Sequence, residues 1–330
     1  MLTRRNMAGG LGLSWMAGKA FSQTTTAHAP PLNASDPNLA LQDEPILLDA
    51  GLDDADRMTV EVSINGQGPF DFVVDTGADR SVISVELANR LLLPRGPDVI
   101  VHGVGGFRPA PTAAVDRVVA GETVLKDGVL PLLPFESLRA DGLLGVDILQ
   151  GQNVVMDFKR KRLEIKRSEG DFGSRGIDYR NPHDIAVSAD SRFGRLTIVD
   201  ARIAGVRCQA FIDSGASGSI GNGALARAVN LRLSKSTPSM PVRLMGAAGD
   251  LTPGEFRIVR KVQMGAVRID NLPLIFADLH IFNFWNLNDK PAVLIGADVL
   301  KLFAKVELDF GGKNVRFRVG QGLDAPVLSA

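Results

Sequence analysis

FDFVVDTGADRSVIS, residues 70–84, places an aspartate at the end of an apolar run. Residues 72–74 are aromatic or β-branched, which predicts a buried strand, and the Thr-Gly after Asp75 predicts a tight turn. The carboxylate is therefore expected to be presented at the end of the strand. Asp-Thr-Gly alone is also an ordinary surface turn, in which the aspartate bonds its own backbone.

The same pattern occurs a second time in CQAFIDSGASGSIGN, residues 208–222, around Asp213. Strand-like segments, a Gly-rich tip and an apolar run that ends in glycine recur in the same order in both halves. The spacing is 138 positions for the two aspartates and 151 positions for Gly145 and Gly296. The extra residues are expected in an Asn-containing loop at 281–288. The sequence therefore predicts an internal duplication of an all-β unit.

Two such units predict an all-β fold with two β-barrel-like lobes, related by a pseudo-two-fold axis and separated by a cleft. The predicted parts are an export signal at 1–22, a flexible lead-in or pro-segment at 23–57, an N-terminal lobe at 58–167, a linker at 168–190 and a C-terminal lobe at 191–320.

The first 22 residues have the pattern of an export signal. Arg4 and Arg5 precede a modest Gly-rich apolar stretch, and Ala20 to Ser22 form a small-residue end before Gln23. The paired arginines favour the twin-arginine route over the general secretory route, and a disordered cytosolic N-terminus is the alternative. The apolar stretch is too short to span a membrane. We expect the protein to be exported, either to the periplasm or out of the cell.

Composition excludes several classes of partner. The 330 residues contain 37 Lys and Arg and 37 Asp and Glu, so the net charge is zero and no nucleic-acid or acidic membrane partner is expected. Cys208 is the only cysteine and is interpreted as a buried apolar residue, so no internal disulfide can form. The four histidines show no metal-ligand spacing and are interpreted as structural or surface residues. No metal and no cofactor are expected.

Two carboxylates at strand ends can meet on the pseudo-two-fold axis. At about 3 Å they cannot both ionise, so they share one proton, an effect for which the aspartic-protease dyad is the standard example. The ionised partner can take a proton from water while the protonated partner donates to a peptide carbonyl. The pair could thus hydrolyse amides without a metal or a covalent intermediate.

These motifs resemble those of the retropepsin-like aspartic proteases. The resemblance is carried by residues 75–78 (DTGA), 213–216 (DSGA), 143–145 (LLG) and 294–296 (LIG), and it extends over residues 58–319. Both halves lie on one chain, as in pepsin, so a monomer is expected, and together with the export signal the resemblance implies a bacterial exported type. The doubled motif is specific, whereas a single DTG would be a weak signal.

The resemblance implies a role for each matching residue. Asp75 and Asp213 would be catalytic, with loop support from Thr76, Gly77, Ala78, Ser214, Gly215 and Ala216. The strands behind the loops would include Leu144, Gly145, Ile295 and Gly296. Flaps over the substrate would be formed by Gly103, Val104, Gly105, Gly106, Gly246, Ala247, Ala248 and Gly249. Whether one flap or two close over the substrate stays open at this point.

We therefore expect an aspartic endopeptidase that binds an extended peptide. The alternative is a catalytically weak or inactive peptide-binding module of the same fold, and a protease that processes one exported partner is a third reading. Ala78 and Ala216 stand where pepsins carry a hydroxyl residue, so each carboxylate has one hydrogen bond fewer. The charged form of the carboxylates is then stabilised less than in pepsins. We therefore expect activity at mildly acidic to near-neutral pH.

Overall fold

The computed structural model describes residues 20–21, 46–53, 57–103, 105–121, 123–168, 184–192, 194–230, 239–247, 249–320 and 327–329. Apart from Ala20–Phe21, the predicted export signal lies outside the described residues, and so do most of the predicted lead-in and linker. Of the helices in the described ranges, none has the length and hydropathy needed to cross a membrane.

The first half of the chain is built mainly of strands. They are β1 (Ala20–Phe21), β2 (Ile46–Leu52), β3 (Met58–Ile64), β4 (Gln67–Val74), β5 (Val82–Ser84), β6 (Arg95–Gly103), β7 (Phe107–Ala120), β8 (Thr123–Leu133), β9 (Gly142–Leu144), β10 (Gln152–Asp157) and β11 (Arg162–Arg167). Three short helices interrupt them: α1 (Val85–Arg90), α2 (Phe135–Leu138) and α3 (Val146–Leu149).

The second half repeats this order of elements. Its strands are β12 (Asp184–Arg192), β13 (Arg195–Ile203), β14 (Val206–Ile212), β15 (Ile220–Gly221), β16 (Ser239–Met245), β17 (Leu251–Met264), β18 (Val267–Phe276), β19 (Ala292–Ile295), β20 (Lys305–Asp309), β21 (Asn314–Arg318) and β22 (Val327–Ser329). Its helices are α4 (Gly223–Asn230), α5 (His280–Phe284) and α6 (Ala297–Leu300).

Each half closes into a six-stranded barrel. In the first half the pairings run β3–β4–β9–β5–β8–β7 and back to β3. In the second half they run β13–β14–β19–β15–β18–β17 and back to β13. The predicted all-β class with two barrel-like lobes is confirmed.

The local sequence explains why these strands form. β3 alternates buried aliphatic and more exposed polar residues over most of its length, so one face packs into the core. Asn65 and Gly66 both adopt positive φ, which suits the tight turn that returns the chain into β4. Ala204 and Gly205 adopt the same conformation between β13 and β14. The duplication therefore extends to the turns.

A second sheet joins the lobes beneath the barrels. Its order is β2–β11–β10–β20–β21–β12, and the central pairing of β10 with β20 crosses from one half to the other. In the first half, β2 of this sheet begins at Ile46, before the predicted start of the lobe at 58, and β12 begins at Asp184, inside the predicted linker of 168–190. Short apolar segments beside polar linkers gave too little periodicity to predict these strands.

Two hairpins project over the cleft, one from each lobe. β6 and β7 form the first flap, and β16 and β17 form the second. Of the loop expected at 281–288, the residues up to Phe284 belong to the helix α5 and the rest form turns, so the prediction was wrong for the first half of this segment. Apolar residues of this segment pack inward and stabilise a helical turn that its asparagines did not suggest.

Candidate active site

Asp75 and Asp213 occupy equivalent positions at the ends of β4 and β14. The Asp75 N–H donates to the carbonyl of Leu144 at 2.9 Å, and the Asp213 N–H donates to the carbonyl of Ile295 at 2.9 Å. Both side chains are buried, with exposed fractions of 0% and 1%. Each aspartate is thus fixed by the strand that runs parallel to its own.

The two aspartate loops hold each other across the lobes. The Thr76 N–H donates to Ser214 Oγ at 3.1 Å, and the Ser214 N–H donates to Thr76 Oγ1 at 3.0 Å. The hydroxyls reach further into the opposite lobe, where Thr76 donates to the carbonyl of Ile212 and Ser214 to that of Val74. Because each hydroxyl both accepts and donates, the buried polar groups are satisfied only when the lobes are together.

Gly215 brings the second loop directly against Asp75. A Cβ atom at position 215 would overlap the Asp75 carboxylate, so only glycine fits there. The Gly77 N–H donates to Asp75 Oδ1 at 2.8 Å, and the Ala216 N–H donates to Asp213 Oδ1 at 3.2 Å. These bonds favour the charged form of each carboxylate.

The glycines at the ends of β9 and β19 permit close approach of the loops. A Cβ atom on Gly145 would meet the backbone of Arg80 at 2.5 Å, and one on Gly296 would meet the backbone of Gly218 at 2.7 Å. Leu144 and Ile295, the residues before them, are fully buried. The structure thus places the four predicted loop-backing residues behind the aspartate loops.

Two further carboxylates, which were not predicted from the sequence, lie behind the loops. Asp147 Oδ1 accepts from Ser81 Oγ at 2.8 Å, and Asp298 Oδ1 accepts from Ser219 Oγ at 2.8 Å. Burial raises the pKa of Asp147, and burial raises the pKa of Asp298 to about 6 against the hydrogen bonds of Ser219 and Val299. The two aspartates are 151 positions apart, as are Gly145 and Gly296, and this spacing could have revealed them.

A pair of buried arginines at the site was likewise not predicted from the sequence. Arg195 donates to the carbonyl of Gly77, and Arg57 donates to that of Gly215, so each arginine reaches the aspartate loop of the other lobe. Their side chains are only 1% and 2% exposed. They are separated by 138 positions, the spacing of the two aspartates, and this repeat was the available signal.

The tips of the two flaps meet above the cleft. The Gly105 N–H donates to the carboxylate of Asp250, which joins the first flap to the second. Ala247 of the second flap is buried in an apolar cluster of the first lobe that includes Leu138. Of the predicted flap residues, Val104 and Ala248 lie outside the described residues. The described parts of both hairpins therefore form two flaps in a closed arrangement.

The first flap also contacts α5 of the second lobe through an aromatic cluster. His102 Nδ1 lies 3.0 Å from His280 Nε2, a hydrogen bond in which one ring donates and the other accepts. Phe284 lies against His102 with ring centroids 4.5 Å apart, and Phe107 packs on both imidazoles. Burial and the neighbouring His280 lower the pKa of His102.

The aromatic segment of α5 divides between core and surface. Phe282 and Trp285 are buried in a cluster of the second lobe, whereas Phe284 is 41% exposed beside the flap. Trp285 also lies beneath the Arg195 guanidinium, 4.8 Å from its ring centroid. The described residues contain no group of three or more His, Cys, Asp or Glu side chains that could hold a metal ion.

Two barrels of one design, with an aspartate loop from each and a pair of flaps above, define the fold class of the two-lobed acid proteases. A family model described as aspartyl protease matches residues 60–148 and 199–299, one region in each lobe. The chain belongs to the aspartyl protease family, and its retropepsin-like character is confirmed. A search of the curated proteins found no match.

Proposed function

We propose that the chain is an aspartic endopeptidase that hydrolyses peptide bonds through a water activated by Asp75 and Asp213. One observation carries this proposal: the mutual hydrogen bonds of Thr76 and Ser214 bring the two aspartate loops together, with Gly215 against the Asp75 carboxylate. Two buried carboxylates on loops that contact each other favour a state with one shared proton, which would provide a base and an acid at one site.

The groove between the lobes suits an extended peptide. Strand edges bind an extended chain through backbone hydrogen bonds, and among the described residues β16 of the second flap pairs only with β17 and has its other edge open. The edge of β6 in the first flap pairs with Ala20 and Phe21 at His102 and Gly103, beside the tip. Exposed apolar side chains beside the tips, Phe107 and Leu251, offer contacts for substrate side chains. The flaps meet at Gly105 and Asp250, so substrate entry requires at least one flap to move.

The proposal is tested by cleavage of an unstructured protein with the full chain, from about pH 3 to about pH 8. Asp75→Asn and Asp213→Asn should each lower the rate by a factor of about a thousand or more, because each removes a carboxylate needed in proton transfer. Asp116→Asn, which changes an exposed carboxylate on β7, is the matched control and should cleave as wild type.

Equal cleavage by wild type and both dyad variants would identify a contaminating protease and contradict the proposal. Binding of peptides by the folded wild type without cleavage would support the alternative, a peptide-binding module.

We further propose that the chain is exported and acts as a monomer. Export rests on the arginine pair and the small-residue end of the leader alone, and fractionation of cells that express the full chain tests it. The monomeric state rests on the presence of both aspartate loops in one chain, since a dimer is not needed to complete the site.

A further inference from the structure

Arg195 links the second lobe to the loop of the first aspartate. Its Nε and Nη2 donate to the carbonyl of Gly77 at 3.0 and 2.6 Å, and Nη2 lies 2.9 Å from Asp79 Oδ1. The guanidinium is 1% exposed and stacks over Trp285. Because it is planar and held from three sides, its charge occupies a fixed position beside the loop of Asp75.

Arg57 is the mate of Arg195, but its charge is balanced differently. It donates to the carbonyls of Gly215 at 3.4 Å and Leu138 at 2.5 Å. Its Nε and Nη2 also lie 2.7 and 2.6 Å from the carboxylate of Asp53, whose side chain is 7% exposed. Arg57 thus carries a buried counter-ion from its own segment.

The counter-ions of Arg195 lie on the aspartate loop itself. Burial lowers the pKa of Arg195, while the charges of Asp79 and then Asp75 act in the opposite direction. This interaction is reciprocal, so the positive charge of Arg195 favours the ionised form of Asp75. Position 217, which corresponds to position 79 in the second loop, is a serine. The two aspartates of the pair therefore stand in unequal electrostatic surroundings.

Other charged groups act on this region as well. Burial raises the pKa of Asp79, opposed by Arg195 and Arg80 and reinforced by the charge of Asp75. Asp147 lies behind the same loop, where it accepts hydrogen bonds from Ser81. Asp79 competes with Asp75 for the charge of Arg195, and its removal should therefore leave more of that charge to Asp75.

We propose that Arg195 is a positioning residue that makes Asp75 the ionised, water-activating member of the pair and leaves the shared proton on Asp213. This inference rests on the proposed function. It assigns different roles to two aspartates that are equivalent by the duplication. The cause is the charge of Arg195, which lies beside the loop of Asp75 with a partly exposed counter-ion, whereas the charge of Arg57 beside the loop of Asp213 is balanced by the buried Asp53.

The assignment defines each proton transfer. Asp75 removes a proton from water as the water oxygen forms a bond to the carbonyl carbon. The π electrons of the carbonyl move to its oxygen, which receives the proton of Asp213. Asp75 then returns its proton to the amide nitrogen as the C–N bond breaks. Asp213 recovers a proton from the diol as the carbonyl of the new carboxylic acid forms, and the initial state is restored.

The first test compares pH profiles of kcat/KM, whose acidic limb reports the base of the free enzyme. Arg195→Met should move this limb to higher pH by about one unit, a loss of about tenfold on the acidic side, because ionised Asp75 loses its cation. Arg195→Lys keeps the charge and should restore the limb. Arg57→Met removes the equivalent loop contact and should leave the limb in place, whatever it does to the maximum rate.

Asp79→Asn provides a variant with the opposite expectation. Asp79 is 27% exposed, and its removal leaves the charge of Arg195 to Asp75, so the acidic limb should move to lower pH. This variant decides the question if Arg195→Met does not fold. Equal shifts in the Arg195→Met and Arg57→Met variants, or a shift to higher pH in Asp79→Asn, would overturn the inference.

A second measurement needs no substrate. The side-chain carbon of each aspartate is followed by ¹³C NMR across pH, with assignments from Asp75→Asn and Asp213→Asn. Asp75 should lose its proton at lower pH than Asp213 in the wild type, and the difference should shrink in Arg195→Met. The reverse order would overturn the inference even where cleavage is confirmed. Failure of the wild type to cleave peptides would contradict the proposed function, and the NMR order would still decide the inference.

Discussion

Asp298 is a buried carboxylate behind the second aspartate loop, and its protonation makes the stability of the folded protein depend on pH. It accepts hydrogen bonds from Ser219, whose hydroxyl in turn accepts from the Gly296 N–H behind the second aspartate loop. Burial raises its pKa from 3.8 to about 6. The folded protein therefore binds a proton here at a pH where the unfolded chain does not.

The sign of the resulting pH dependence follows from this shift. Between about pH 4 and about pH 6 the folded state holds more protons, so stability falls as the pH rises through this window. The contribution amounts to about 3 kcal/mol at most. Asp298→Asn cannot titrate, so the stability advantage of wild type over the variant should be larger at about pH 4 than at about pH 7.

Urea unfolding of both proteins at the two pH values measures this difference. Asp147→Asn, the mate in the first lobe, should change the slope in the same direction, since burial raises the pKa of Asp147 as well. A wild-type advantage that is identical at both pH values would contradict the prediction.

The first flap shows how an element can respond to pH through its contacts. Its contact with α5 joins His102 to His280, and one of the two rings must be neutral to accept the hydrogen bond. Burial and His280 lower the pKa of His102, so the neutral ring persists below its usual range and is lost as the pH falls further. With both rings protonated, no acceptor remains and the like charges repel.

We therefore expect the first flap to open as the pH falls from about 6.5, the usual pKa of histidine, to about 5. Hydrogen–deuterium exchange of β6 and β7, corrected for the intrinsic rate, should increase over this range. His280→Gln keeps a donor and an acceptor that do not titrate, and it should abolish the increase. The second flap carries no histidine in β16 or β17 and is the internal control. An equal increase in both flaps would contradict the prediction.

The whole molecule is organised by the repeated halves and the sheet that joins them. β10 pairs with β20, so the lobes share backbone hydrogen bonds in addition to the contacts of the aspartate loops. Both aspartate loops lie on one chain, so the proposed site requires no second copy. Specific activity should therefore stay constant over about a hundredfold dilution, because no association equilibrium limits the active fraction.

Enzyme assays at a series of concentrations, with sedimentation measurements at the same concentrations, test this expectation. A loss of specific activity on dilution, parallel to a change in sedimentation, would show that the active species is an oligomer. A dimer whose site forms between two chains would lose specific activity on dilution, whereas a chain with covalently joined halves should not.

The sequence predicted those features that local patterns determine. The apolar runs before Asp75 and Asp213, repeated in order, were sufficient for the fold class and for the position of both loops. Contacts between distant residues left no local periodicity, so the pairing of His102 with His280 could not be predicted. Arg57 and Arg195 did leave a signal, their shared spacing, but each alone resembles an ordinary charged residue at the start of a strand.

Positions 79 and 217 carry different residues, so the two ends of the cleft are not equivalent. Two identical chains would present the same side chain at both positions, and a peptide could bind in either orientation with equal free energy. In this chain a peptide would meet a carboxylate beyond one aspartate and a hydroxyl beyond the other. Forward and reversed peptides would then bind with different free energies. Joining the halves would thus allow the cleft to distinguish the amino end of a bound peptide from its carboxyl end.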